Sequence, residues 1–275
     1  MLRPVVLAIA TLLATAASAS AALPVIHAHR GGTHVWGKAT FAEEALPTYV
    51  AAAKAGDVLE MDVQMTLDNV PLVIHDTKLD RVTPCTGLVA SYTANDIRTM
   101  CPIDVLGSPR SSLGGRKNPE RHVIPTLEEV LRVARKYDVE VNIELKPFDE
   151  TGEASRIVAL TIINSGLPMD HVIIQSFHIV SLQSAQSLMP GVKTSMLTIA
   201  RENQYAIERA LSVGATYVSP KWPVDAAFVG AAHAAGLLVA PWTINDPFSA
   251  AAARDLGVDA IISDDPVMAY WTLRR

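Results

Sequence analysis

Short apolar runs rich in valine and isoleucine alternate with alanine-rich stretches through most of this chain. The apolar runs have the length of buried β-strands, and the alanine-rich stretches have the spacing of helices, several of which end in glycine. Strands are predicted over 24–29, 57–63, 139–145, 172–177, 194–198, 216–219, 237–243 and 259–263. This alternation predicts an α/β fold of the (β/α)8 barrel type, with its active site at the carboxyl ends of the strands. A doubly wound sheet is the rival, but no glycine-rich phosphate loop follows the first strand.

The apolar run 71–75 interrupts the alternation, because only residues 67–70 separate it from the second strand. So short a connection excludes a parallel crossover and predicts a hairpin that turns near Asp68 and Asn69. If the turn is centred between these two residues, Asp62 lies opposite His75 on one face of the hairpin. A shift of one residue in the register would move His75 to the other face.

Residues 77–122 have the least regular pattern and are interpreted as an insertion over the barrel mouth. It contains Cys85 and Cys101, the only cysteines of the sequence. In an exported protein such a pair is expected to form a disulfide. Closing a loop of about 15 residues contributes about 3 kcal/mol in the chain-entropy model. The absence of a C-x-x-C spacing argues against a zinc or redox site.

Residues 1–21 are predicted to be a secretory signal peptide, which leaves 22–275 as the barrel. Arg3 precedes an apolar stretch, and small residues follow it as far as Ala21. A full membrane span needs about 20 apolar residues, so cleavage is favoured over an uncleaved anchor. The mature protein is therefore expected to be exported, to the periplasm or the medium, without a stable membrane anchor.

The overall charge limits the kind of partner that the chain can bind. A formal net charge of −5 argues against non-specific nucleic-acid binding, which depends on basic patches. An anionic substrate would have to be held by a local cluster of cations. No protein partner is predicted, and the expected ligand is a small molecule.

Acidic residues follow two neighbouring strands of the predicted barrel. Glu60 and Asp62 are two residues apart on one strand, so their side chains face the same way. Such close carboxylates repel unless a cation keeps both ionised, and Glu144 on the next parallel strand completes an oxygen-rich set. Ligation by carboxylates alone is typical of Mg²⁺ or Ca²⁺. Solvated surface acids are the alternative, which the apolar neighbours Met61 and Val63 disfavour.

Two histidines and two cations are the other candidates at strand ends. His29 and His75 are the candidate general acid and base, because both are expected beside the same carboxylates. Arg30 follows His29 directly, and Lys146 shares a face with Glu144, so these two cations are the candidate phosphate contacts. Either cation alone could instead form a surface ion pair.

Together these motifs resemble the glycerophosphodiester phosphodiesterase family over nearly the whole mature chain, in the same order. The matching motifs are His29-Arg30-Gly31, Glu60-Met61-Asp62, His75-Asp76, Asn142 through Lys146, Gln175-Ser176-Phe177, Trp242-Thr243-Ile244-Asn245 and Gly257 to Pro266. The resemblance implies a TIM barrel with a small insertion after the hairpin. It implies roles for three groups of side chains: metal ligands Glu60, Asp62 and Glu144, the acid–base pair His29 and His75, and phosphate contacts Arg30 and Lys146.

The resemblance also suggests three further site residues. Trp242 would line the pocket against the glycerol or the leaving group, and Gln175 would make a polar contact with the substrate. The family's P-E-N-T is replaced here by residues 42–45. Glu43 is aligned with the family's glutamate and is expected to steady the metal or a histidine, with Glu44 as the alternative.

The activity implied by the resemblance is metal-dependent hydrolysis of glycerophosphodiesters to sn-glycerol 3-phosphate and an alcohol. A lysophospholipase D or sphingomyelinase D-like activity on larger lipids is a second reading, but it needs an apolar entrance and the chain is only 5% aromatic. A glycerophosphodiester-binding protein without turnover is a third. The complete set of histidines, carboxylates and cations argues against it.

Overall fold

The computed structural model describes residues 22–109, 114–146 and 152–275, so the predicted signal peptide lies outside the described residues. The strands over these ranges are β1 (Val25–Ala28), β2 (His34–Val35), β3 (Lys38–Ala39), β4 (Val58–Met65), β5 (Pro71–Val73), β6 (Ile103–Leu106), β7 (Arg116–His122), β8 (Val141–Leu145), β9 (Val172–Ser176), β10 (Lys193–Thr198), β11 (Tyr217–Pro220), β12 (Leu238–Val239) and β13 (Ala260–Ser263).

Helices follow most of the barrel strands. Over the same ranges they are α1 (Leu46–Ala55), α2 (Ala94–Met100), α3 (Leu127–Tyr137), α4 (Glu153–Ser165), α5 (Ile179–Leu188), α6 (Ala206–Ser212), α7 (Ala226–Ala234), α8 (Pro247–Asp255) and α9 (Pro266–Leu273). Capping side chains begin several of them: Thr126 and Glu129 form a reciprocal capping box at α3, and Asp225 caps α7. None of the helices in the described ranges combines the length and apolar character needed to cross a membrane.

Eight parallel strands form a nearly closed barrel in the order β12, β11, β10, β9, β8, β4, β1, β13. A backbone bridge from Trp242, which follows β12, to Ile262 of β13 joins its two ends, and a second bridge joins Trp242 to Lys221 after β11. The predicted (β/α)8 barrel is confirmed, and most predicted strand ends lie within two residues of the observed ones. The exception is the predicted strand 237–243, which is regular only over Leu238–Val239.

Alternation along the barrel strands separates an apolar outer layer from a polar interior. In β4, Leu59 and Met61 are buried in the main hydrophobic core, together with residues of the surrounding helices. Glu60 lies between Leu59 and Met61, and Asp62 follows Met61. Both acids face the barrel interior, because successive side chains of a strand alternate between its two faces. Gln175 of β9 donates to Glu60 across this interior at 2.7 Å. The polar positions of several strands are thus brought together inside one end of the barrel.

The predicted hairpin forms, but its register differs by one residue from the expected one. β4 pairs antiparallel with β5, with Val63 opposite Val73. The Ile74 amide donates to the Asp62 carbonyl, so Asp62 lies opposite Ile74. The predicted pairing of Asp62 with His75 was therefore wrong.

The turn explains this difference in register. The Thr66 amide donates to the Val70 carbonyl, which leaves a loop of three residues centred on Asp68. Asn69 takes a left-handed backbone conformation with φ of 60°, as three-residue hairpin loops require near their end. His75 still reaches the barrel mouth, because β5 ends at Val73 and the chain leaves the ladder before His75.

The described part of 77–122 packs beside the hairpin around a second, smaller hydrophobic cluster, which also contains Leu72 and Ile74 of the hairpin. Ile97 of α2 and Ile103 of β6 are fully buried in this cluster. β6 pairs antiparallel with β7. Cys85 and Cys101 form the expected disulfide, with a Cα–Cα distance of 5.5 Å. The cluster and the disulfide hold the segment as a folded unit against the barrel.

Candidate active site

A cavity of about 480 Å³ opens at the carboxyl ends of the barrel strands. A volume of this size suits a small molecule. All the predicted strand-end residues except Asp62 line it directly, and Asp62 is fully buried next to Glu60 and Glu144. The insertion contributes Arg81 and Ser108 to the wall. The structure therefore gathers residues that are far apart in the sequence around one small space.

Three carboxylates form the floor of the cavity. Glu60, Asp62 and Glu144 are buried, and each offers an oxygen within 4.8 Å of the others. Neither oxygen of Asp62 has a hydrogen-bond partner among the described residues, although each is within ion-pair distance of a cation. Buried carboxylate oxygens in this state fit a hard divalent cation that takes oxygen ligands, such as Mg²⁺ or Ca²⁺.

The pKa values of these acids show how strongly they act on one another. Burial, together with the charge of Asp62, raises the pKa of Glu60 to about 7 and that of Glu144 well above its usual value. For Asp62, burial has the same effect, but Lys146 and the other neighbouring positive groups outweigh it and hold the pKa well below the usual range. A bound divalent cation would favour the ionised form of all three acids.

Arg30 and Lys146, the predicted phosphate contacts, flank Asp62 on opposite sides. The Arg30 Nε atom lies 3.3 Å from Asp62 Oδ2, and the Lys146 Nζ atom lies 3.1 Å from Asp62 Oδ1. The Arg30 amide also donates to Glu60 Oε2 at 2.8 Å. Lys146 contacts Glu144 at 3.0 Å. Both cations line the cavity and are placed to meet an anion bound above the carboxylates.

His29 is held by the carboxylate that directly follows the last strand of the barrel. Its Nδ1 atom lies 2.5 Å from Asp264 Oδ1, and Asp264 in turn accepts a hydrogen bond from Asn245 at 2.6 Å. Burial by itself would lower the pKa of His29, but the charges of Glu60 and Asp264 outweigh it and raise that pKa. With Nδ1 engaged, Nε2 is the ring nitrogen left for a reacting group.

His75 is held in the same way by a chain of charged side chains. Its Nδ1 atom lies 2.5 Å from Asp76, which accepts from Arg81 Nε at 2.6 Å. Arg81 donates through both of its terminal nitrogens to Glu43, which is 1% exposed. Burial lowers the pKa of His75, and its carboxylate neighbours offset this only in part. The pKa values of His29 and His75 are therefore displaced in opposite directions.

Glu43 and Glu44, the two alternatives left open by the sequence, have different roles. Glu43 binds Arg81 and also accepts from Arg30 at 3.3 Å, so it acts on His75 through Arg81 and Asp76. Glu44 lies on the other side, where it accepts from the Asp62 amide at 3.2 Å and from the Tyr49 hydroxyl at 3.2 Å. Glu44 therefore anchors the backbone of the strand that carries Asp62, whereas Glu43 binds Arg30 and Arg81.

We expect the Glu43→Gln substitution to lower the free energy of unfolding by about 3 kcal/mol, because it removes a buried carboxylate that is paired with two partly buried arginines. Among the described residues, Arg30 then keeps only Asp62 as an acidic partner, and Arg81 keeps only Asp76. Urea denaturation of the purified protein measures this loss. Glu128→Gln is the matched control, since Glu128 forms an ion pair with Arg132 but is 66% exposed, and it should change stability by less than about 0.5 kcal/mol. Equal losses of stability in the two variants would contradict the interpretation that Glu43 stabilises the fold as the buried partner of Arg30 and Arg81.

Gln175 and Trp242, the other predicted substrate contacts, line the cavity in different ways. Gln175 is 2% exposed and donates to Glu60 while accepting from Asn142 at 2.9 Å, so its main contact is with a carboxylate of the floor. Trp242 is half-buried and donates its indole N–H to the Ser219 carbonyl at 3.1 Å. Its ring therefore forms part of the cavity wall in a fixed orientation.

Sequence reasoning missed several residues that line the cavity. Asp264 and Asn245 fell within motifs of the family resemblance but received no role. Lys221 follows β11 directly, and the strand-end rule that selected Lys146 would have found it. Arg81 lies in the irregular segment 77–122, where no periodic pattern marks it. Only the folded chain places Arg81 beside Asp76.

Comparisons with known proteins identify the family to which the chain is similar. The profile of the "Glycerophosphoryl diester phosphodiesterase family" matches residues 29–268. A glycerophosphodiester phosphodiesterase of Bacillus altitudinis is 31% identical over 88% of this chain and 94% of its own. One of Bacillus subtilis is 30% identical over 87% of this chain and 83% of its own. The structure of an Oleispira antarctica phosphodiesterase in complex with the product sn-glycerol-3-phosphate is 26% identical, with a TM-score of 0.77 over 92% of this chain and 98% of that one.

Proposed function

The chain belongs to the glycerophosphoryl diester phosphodiesterase family and is a phosphodiesterase, and we propose that it hydrolyses glycerophosphodiesters to sn-glycerol 3-phosphate and an alcohol with two histidines and a divalent metal. The observation that carries the proposal is the convergence of His29 and His75 on one cavity, above three carboxylates that are flanked by Arg30 and Lys146. The product named in the Oleispira antarctica structure is the one proposed here.

The residues that would hold the metal are Glu60, Asp62 and Glu144, and Mg²⁺ or Ca²⁺ fits their oxygen ligands. Such a cation, when bound, supplies Lewis-acid polarisation of a phosphoryl oxygen and a template for the substrate. Arg30 and Lys146 bind the phosphate and offset the negative charge that develops on it. Gln175 orients the Glu60 carboxylate through its hydrogen bond, and Glu44 anchors the backbone amide of Asp62.

Proton transfer is assigned to the two histidines. One histidine accepts the proton of the attacking hydroxyl, a new P–O bond forms, the P–O bond to the head-group alcohol breaks, and the other histidine protonates that departing oxygen. The nucleophile is either water or the 2-hydroxyl of the glycerol, which would form a cyclic phosphate that water then opens. Asp264 and Asp76 keep the imidazoles oriented and stabilise their protonated forms. ³¹P NMR of the reaction mixture distinguishes the two routes by the presence of a cyclic phosphate.

We also propose that the protein acts after export, in the periplasm or outside the cell. The signal-peptide pattern over residues 1–21 is the first argument for this location. The disulfide between Cys85 and Cys101 is an independent second argument, because disulfides persist in oxidising compartments and are rare in the cytosol.

The proposed function is tested with metal-stripped protein and two substrates, sn-glycero-3-phosphocholine and sn-glycero-3-phosphoglycerol. We expect release of sn-glycerol 3-phosphate from at least one of them only after Mg²⁺ or Ca²⁺ is added. Choline release from lysophosphatidylcholine alone would instead favour the lysophospholipase D reading. Binding of the diesters without product release under any condition would favour a binding protein.

A further inference from the structure

Lys221 places a further cation on the wall of the cavity, in addition to Arg30, Lys146 and Arg81. It follows β11 directly, and its backbone is anchored on both sides. The Lys221 amide donates to the Thr198 carbonyl at 3.0 Å, and the Lys221 carbonyl accepts from the Asn203 side chain at 2.8 Å. The position of the side chain is therefore set by the barrel rather than by a free loop.

The strand order places Lys221 across the cavity from the carboxylate floor. Three strands separate β11 from β4 in either direction around the barrel: β8, β9 and β10 on one side, and β1, β13 and β12 on the other. β11 is therefore opposite β4, which carries Glu60 and Asp62. Arg30 and Lys146 both contact Asp62, so the scissile phosphate belongs on the β4 side. A diester bound there extends its remaining parts towards β11 and Lys221.

The ammonium of Lys221 lacks a neutralising partner within the described part of the chain. No carboxylate there forms an ion pair with it. Asp264 acts on it only from a distance and is already bonded to His29 and Asn245. An anionic ligand stabilises a half-buried cation in a substrate cavity more than a neutral one does, because a neutral hydroxyl offsets the positive charge much less.

Trp242 makes the same wall unfavourable for a cationic head group. Quaternary ammonium groups bind proteins through the faces of aromatic rings. The Lys221 Nζ atom lies 4.2 Å from the centre of the Trp242 ring, so this face already carries a positive charge. Phe177 meets the Trp242 ring edge-on, with the ring centres 5.7 Å apart. A choline approaching Trp242 would meet the ammonium of Lys221.

We infer that Lys221 is a specificity-determining residue that selects glycerophosphodiesters whose leaving alcohol carries an anionic group, a carboxylate or a second phosphate. The inference rests on the proposed function and names its substrate class. If Lys221 instead bound the scissile phosphate or the glycerol, it would act equally on every glycerophosphodiester. The ratio of kcat/KM between substrates therefore separates the two roles.

The experiment compares kcat/KM for three diesters with saturating metal. The probes are 1,3-bis(sn-glycero-3-phospho)glycerol, whose head group contains a second phosphate, sn-glycero-3-phosphoserine, whose head group contains a carboxylate, and sn-glycero-3-phosphocholine. We expect at least one of the first two to be preferred over the choline ester, and Lys221→Met to reduce that preference by about tenfold or more. Lys221→Glu should reverse the preference, and Lys221→Arg should retain it.

Lys38→Met is the matched control, because Lys38 is an exposed lysine of β3 and its loss changes the net charge by the same amount. We expect it to leave the substrate ratio unchanged, and thermal melting checks that every variant is folded. Loss of preference for the bis-phosphate alone identifies phosphate as the recognised group, and loss for the serine ester alone identifies the carboxylate. An unchanged ratio in Lys221→Met with active enzyme would overturn this inference only. Failure to cleave any diester with either metal would overturn the proposed function as well.

Discussion

Replacement of His29 by alanine is expected to lower kcat for glycerophosphodiester hydrolysis by about 10²–10⁴-fold, the usual contribution of a positioned general acid or base. His29 lines the cavity beside Glu60 and is fixed by Asp264 at 2.5 Å. Alanine removes the proton-transfer group and leaves the three carboxylates of the floor in place. The loss should therefore persist at saturating metal, measured as the rate of sn-glycerol 3-phosphate release.

The matched control is His233→Ala. His233 also contacts an aspartate, with its Nε2 atom 2.9 Å from Asp259, but it lies on α7 and does not line the cavity. We expect this variant to retain wild-type kcat within about twofold, as a surface substitution should. A His29→Ala enzyme as active as the control would exclude His29 from proton transfer.

The roles of His29 and His75 can be separated by the leaving group. A 4-nitrophenyl ester of glycerol 3-phosphate has a leaving group that departs as a stable anion and needs no protonation. The alanine variant of the general acid should recover much of its activity on this ester, whereas the variant of the general base should not. Equal recovery by His29→Ala and His75→Ala would contradict a division of acid and base between them.

Replacement of Asp62 by asparagine is expected to weaken metal binding by at least about 100-fold, since even indirect partners of metal ligands contribute 10–100-fold. Asp62 is the central carboxylate: it is fully buried, and both of its oxygens lack hydrogen-bond partners among the described residues. Asparagine keeps the shape but removes the charge that offsets Arg30 and Lys146. Calorimetric titration with Mg²⁺ and with Ca²⁺, alongside activity as a function of metal concentration, measures the effect.

Asp104→Asn is the control for this substitution. Asp104 is also a largely buried aspartate paired with a lysine, with its Oδ2 atom 2.8 Å from Lys117, but it lies in β6 of the insertion. The Asp104→Asn variant should bind the metal with wild-type affinity. If Asp62→Asn also did so, the metal would have to bind somewhere other than the carboxylate floor.

The strand-end residues of the site could be predicted because they depend on local order along the chain. Glu60 and Asp62 share a face because they are two residues apart on a strand, and that period holds in any sheet. Glu144 follows another strand at its carboxyl end, and parallel strands of a barrel place those ends together. The fold class, the three carboxylates and the order of the motifs therefore follow from the sequence.

The register of the hairpin could not be predicted in the same way. Moving the centre of the turn by half a residue changes every pair of the ladder, and the left-handed conformation of Asn69 decided that position. His75 nevertheless lines the same cavity as Glu60 and Glu144, for a different reason. His75 leaves the strand before it reaches the cavity, so strand pairing does not orient it.

The amino-acid order alone predicted the eight-stranded barrel, the carboxylate floor and the two histidines, because strand periodicity and strand ends are local properties. Only the tertiary structure assigned Glu43 to Arg81 and Glu44 to the Asp62 amide, although these glutamates are neighbours in the sequence. It alone placed Lys221 across the cavity, over Trp242. Such contacts depend on how the barrel closes and where an irregular insertion packs, and neither leaves a periodic signal in the chain.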